Sequence, residues 1–142
     1  MNTAPDLSRF VDAHRRSFQT ALGEIRNGHK QSHWMWYIFP QIRGLGVSSR
    51  SQYYAIQDLD EAAAFLRDPY LGKNLLEICS ALLELETNDA FEVFGTPDNR
   101  KLQSSMTLFS LVPDADPVFR SVLDKFFGGK RDHKTLEFLG LR

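Results

Sequence analysis

Apolar residues return at helical spacing along most of the chain. Phe10, Ala13, His14, Phe18, Ala21, Leu22 and Ile25 form one stripe of a 3.6-residue repeat, and the segment closes at Asn27-Gly28, where glycine accepts the left-handed conformation of a helix C-terminus. Asp68-Pro69 joins a good N-cap to a proline suited to the first helical position, which predicts a helix through YLGKNLLEICSALLELE with Leu71, Leu75, Ile78, Leu82 and Leu85 inward. Thr96-Pro97 and Asp116-Pro117 repeat that grammar before DNRKLQSSMTLFSLV and VFRSVLDKFF. DLDEAAAFLRD has helix-forming composition, and Asp132 can cap a short final helix. WMWYIF is compatible with a strand or a short helix, since its aromatics favour sheet while Pro40 would stop either, but a lone strand has no partner. The pattern therefore predicts an all-α, compact single-domain array of about six to eight helices over residues 1–142, with one long irregular stretch from Pro40 to Ser51.

Composition narrows the function classes. The apolar fraction of 42%, the charged fraction of 25% and a net charge of -1 are ordinary for a globular protein, with no general attraction to nucleic acid or an anionic membrane. Neither partner is expected. A single cysteine, Cys79, cannot make an internal disulfide and lies in a helical apolar pattern, which reads as core. The N-terminus shows no apolar signal region and no run approaches the roughly 18 residues that span a bilayer, so a cytoplasmic location is expected.

One segment departs from this plainness. GHKQSHWMWYIFPQIRGLG, residues 28–46, holds both tryptophans, a tyrosine, a phenylalanine, two histidines, a lysine and an arginine. If residues 33–38 are helical, Trp34 and Tyr37 share a side and Trp36 lies elsewhere; if extended, Trp34 and Trp36 share a face. Met35, Ile38 and Phe39 read as core. Trp34 and Trp36 suit either core or the wall of a ligand pocket, and Lys30, His33, Gln41 and Arg43 need water, each other or a ligand as partners. The following loop adds Gly44 and Gly46, hydroxyls at Ser48, Ser49 and Ser51, and a further cation at Arg50, before Tyr54. It reads as a solvated turn or as an anion cradle, and it lacks the endings of a P-loop or a dinucleotide fingerprint. Downstream, Asp98, Lys101 and Ser105 fall along one side of a helix, as a surface ion pair or as part of a site. No histidine pair has zinc-ligand spacing, and neither a metal nor a cofactor is expected.

The run Gly28, Lys30, Ser32-His33-Trp34, Trp36, Phe39-Pro40-Gln41, Gly44-Leu45-Gly46 and Ser48, with Tyr54-Ala55-Ile56, Phe94-Gly95, Asp98, Lys101-Leu102 and Ser105-Met106-Thr107-Leu108-Phe109, resembles the bacterial family of domain of unknown function 1810. The likeness extends over nearly the whole chain. It implies a compact, mainly helical single domain and no particular reaction. Against the family pattern, His14 stands where an amide is common and Phe18 where tyrosine is common.

Two functions from different classes follow. In one, the chain binds a small anionic, nucleotide-like ligand in an aromatic and basic pocket built from Lys30, His33, Trp34, Trp36, Gln41, Arg43, Ser48, Tyr54, Asp98, Lys101 and Ser105, with enzymatic activity left open. In the other, the aromatic motif is an exposed anchor for a partner protein.

Overall fold

The computed structural model describes residues 5–141, and among them it shows nine helices and no strand. They are α1 (Ser8–Arg26), α2 (Met35–Ile38), α3 (Ser49–Tyr53), α4 (Leu59–Arg67), α5 (Pro69–Glu84), α6 (Ala90–Phe94), α7 (Asp98–Ser110), α8 (Val118–Phe127) and α9 (His133–Phe138). The number exceeds the expected six to eight because α2, α3 and α6 have only four or five residues each, too few to show a periodic stripe. WMWYIF contributes a single helical turn, and the only extended pairing among the described residues is a parallel bridge between Ile42 and Ile56.

Local chemistry sets the helix starts. Asp58 Oδ1 accepts the Glu61 N–H (2.8 Å) at the head of α4. Asp68 Oδ1 accepts those of Tyr70 and Leu71 (2.9 Å each) with Pro69 in the first turn of α5, and Asp132 Oδ2 accepts that of Thr135 (3.2 Å) on α9. At Pro97 and Pro117 the sequence grammar shifts by one residue. There the proline itself occupies the cap position; Asp116 still receives the Val118 N–H (2.8 Å), while Thr96 gives α7 no side-chain cap.

Helix α5 packs against α1, α4 and α8, and α7 packs against α4, α6, α8 and α9, around one apolar core. A chain of rings, Phe10, Phe65, Phe109 and Phe119, joins α1, α4, α7 and α8 with successive centroids 5.2, 5.4 and 5.8 Å apart. The predicted stripes of α1 and α5 are buried as far as Leu82, and Leu85 lies half-buried at the end of α5. Cys79 sits fully inside this core, where burial pushes its thiol pKa up and removes it from redox chemistry.

His14 also lies inside, 1% exposed. Its Nε2–H donates to the Tyr37 carbonyl (2.9 Å), Nδ1 accepts from the Asn74 amide (3.1 Å), and the ring stacks on Phe18 at 5.9 Å. Burial pulls its pKa down to about 4, although the Tyr37 carbonyl and the Asp68 charge act in the opposite direction. It is a neutral, satisfied core histidine. No helix among the described residues is long and apolar enough to cross a membrane.

Candidate functional site

The aromatic segment is fixed by a residue outside it. Glu24, near the end of α1, accepts the backbone N–H groups of Gln31 (2.7 Å) and Ser32 (2.9 Å), the Ser32 hydroxyl (2.5 Å) and the Trp34 indole N–H (2.9 Å). Burial alone would raise the Glu24 pKa, but the donors from Ser32, Gln31 and Trp34 outweigh it and hold the carboxyl down at about 2. The four bonds fold residues 31–34 back over the end of α1, where Gly28 (φ 79°) makes the turn. The single turn α2 then points Trp34 and Tyr37 inward and leaves Trp36 half-buried at the surface.

Two cations from different elements meet the Trp36 ring. Arg50 Cζ, on α3, lies 5.1 Å from the ring centroid; Lys101 Nζ, on α7, lies 6.0 Å away; and the His33 ring is 6.4 Å distant. Beside them is a hollow of about 20 Å³ lined by Trp36, Gln41, Gly46, Ser51, Tyr54 and Lys101, over a floor that includes Met35 and Phe39. Asp98 links this surface to the interior. Its Oδ1 lies 3.5 Å from Lys101 Nζ and its Oδ2 lies 2.9 Å from Lys30 Nζ. Lys30 is spoken for: its side chain is 8% exposed, its ammonium also donates to the Ser32 carbonyl (2.6 Å), and it rests 5.1 Å from the Trp34 ring centroid. Lys101, at 30%, keeps donors facing solvent. Lys30 and Lys101 thus share Asp98, and of the three cations Arg50 and Lys101 are the ones open to the outside.

The structure thus brings Trp36, Gln41, Tyr54 and Lys101 around one hollow, with His33 beside the indole and Asp98 behind the lysine. Other candidates lie elsewhere. Trp34 is 1% exposed, with its N–H on Glu24, and does not line the hollow. Arg43 is carried away by the Ile42–Ile56 bridge; its Nε donates to the Gln57 carbonyl (3.1 Å) and it borders a separate groove with Asp58, Asp60 and Phe138. Ser48 is spent locally as the cap of α3, accepting the Ser51 N–H (3.1 Å) and donating to Ser51 Oγ (2.8 Å). Ser105 is fully buried, and its hydroxyl has no partner among the described residues. Two residues that matter most, Glu24 and Arg50, carry no distinguishing motif: one is an ordinary glutamate in a helix and the other one of several cations in a polar loop. Among the described residues, no three His, Cys, Asp or Glu side chains gather as a metal-binding group.

Comparison with other proteins adds family and fold. The family model described as "Protein of unknown function (DUF1810)" matches residues 4–139. The chain is similar to the conserved hypothetical protein Rv1873 from Mycobacterium tuberculosis, known from a crystal structure, with 41% sequence identity and a TM-score of 0.93 over 96% of this chain and 98% of that one. No curated protein matches the chain.

Proposed function

Because the chain belongs to the DUF1810 family, whose description leaves activity to be argued from the residues, we propose that it binds a small anionic ligand against Trp36, between Arg50 and Lys101. The carrying observation is the convergence on one half-exposed indole of a guanidinium from α3 and an ammonium from α7. Unlike the ammonium of Lys30, which is largely buried against Asp98, both reach solvent. Gln41 and Ser51 add neutral polar groups at the edge.

Size constrains the ligand. About 20 Å³ holds roughly one water, far below the ~300 Å³ of an enclosed drug-sized site, so only a terminal group enters while the bulk lies across the open 44–52 loop. A nucleoside diphosphate meets these terms: its phosphates face Arg50 and Lys101, and its base covers the outer face of Trp36 once the exposed Arg50 side chain swings aside.

Calorimetric titration with inorganic phosphate, pyrophosphate and ADP tests the reading. Affinity is expected to rise along that series and to fall with added salt; Trp36→Ala, Arg50→Ala and Lys101→Ala should each weaken ADP binding by about tenfold or more while leaving the melting temperature within a few degrees. Absence of heat with all three anions, or equal affinity in the variants, overturns it.

One observation favours a second reading, a protein-interaction surface. Val47 and Tyr53, 86% and 60% exposed, bracket Arg50 on the same loop and turn. If a partner docks there, Tyr53→Ala abolishes its binding and leaves the anion titration unchanged.

A further inference from the structure

A second hollow shares no residue with the Trp36 site and is much larger, about 320 Å³, within the range of small-molecule pockets. It lies where α4, α5 and α8 meet the loop after α7. Its walls are mostly apolar, Leu66, Leu76, Val112 and Phe119 among them, yet three charged side chains border it: Arg67, Asp114 and Asp116. Among the described residues, Arg67 pairs with no carboxylate and donates no side-chain hydrogen bond. Asp114 likewise has no ion-pair partner, and Asp116 uses only Oδ1, for the Val118 N–H (2.8 Å).

Opposite charges at the rim of one apolar hollow that do not neutralise each other are complementary to a molecule carrying both charges at one end and an apolar body at the other. We infer that this hollow binds a free apolar α-amino acid, its carboxylate on Arg67, its ammonium on Asp114 and Asp116, and its side chain against Leu66, Leu76 and Val112. A guanidinium presents a planar fork matched to a carboxylate, and an ammonium offers three donors to two aspartates. A simple acid or a simple amine would leave one side of the rim unanswered. The apolar walls favour aliphatic and aromatic side chains over charged ones. This inference is independent of the anion reading at Trp36.

The test is amide-resolved NMR titration of the whole chain with L-leucine, its decarboxylated analogue 3-methylbutylamine and its deaminated analogue 4-methylpentanoate. Leucine is expected to shift the amides of residues 66–76 and 112–119, and each analogue to bind about tenfold more weakly or worse, as loss of one charged hydrogen-bonded contact implies. Arg67→Ala, at an exposed position, and Asp114→Asn, which suits the left-handed backbone there (φ 61°), should each weaken leucine about tenfold, whereas Lys101→Ala should not. No shift at those amides up to about 10 mM leucine, equal binding of either analogue, or indifference to Arg67→Ala overturns the inference.

Discussion

Glu24 shows how one side chain fixes the geometry on which the site depends. Its carboxylate takes four donors, two backbone N–H groups, a hydroxyl and an indole, none of which has another acceptor among the described residues. Glu24→Ala leaves them unanswered, and a hydrogen bond to a charged group contributes about 1.5–3 kcal/mol, so the net loss after water enters is expected at roughly 2–3 kcal/mol in urea unfolding. Glu24→Gln should recover only part of it, because an amide oxygen replaces just one of the two accepting atoms. The carboxyl is also a source of pH dependence: its folded pKa is depressed to about 2 from 4.5, so its contribution is complete above pH 4.5 and disappears as pH falls towards 2. Lys30 belongs to the same fixed layer. The sequence marks it as a candidate ligand contact, but an ammonium already held by Asp98, the Ser32 carbonyl and the Trp34 ring serves to position Asp98.

At the scale of elements, the corner between α4 and α5 is the tightest join. A Cβ on Gly72 would run into the backbone carbonyl oxygen of Leu66, which cannot rotate away as a side chain would. Alanine is better than glycine inside a helix by about 1 kcal/mol, whereas overpacking costs about 1–3 kcal/mol, and a clash with backbone belongs at the upper end. Gly72→Ala is therefore expected to destabilise by about 1–2 kcal/mol, read as a lower urea midpoint; an increase would show that the corner has room. The starts of α5 and α9 were legible in the sequence because an Asp cap and the N–H groups it serves are two or three residues apart. The short helices were not, since four or five residues hold no period and depend on what surrounds them. The same division runs through the site. Alternating directions within one turn separate Trp34 from Trp36 once the segment is known to be helical, but the approach of Arg50, the diversion of Arg43 and the reach of Glu24 are tertiary facts with no local signature.

For the molecule as a whole, the buried histidine sets the acid side of its stability. Unfolded His14 takes up a proton near pH 6.5, while the folded ring resists until about pH 4, so between those values the unfolded state binds more protons. The His14 contribution is then fully present above pH 6.5 and falls as pH drops, levelling off below 4, by about 3 kcal/mol for a shift of this size. His14→Gln, which retains a donor for the Tyr37 carbonyl, should flatten that window in chemical denaturation at stepped pH; an unchanged profile would assign the acid sensitivity to other groups. The division between the two indoles has a further, optical consequence. One is sealed in the core with its N–H tied to an ionised carboxylate, and the other is open to solvent between two cations. Intrinsic fluorescence therefore comes from a shielded emitter and an accessible one, a built-in reference beside a built-in sensor, so that an occupant at the surface can be followed without attaching any dye.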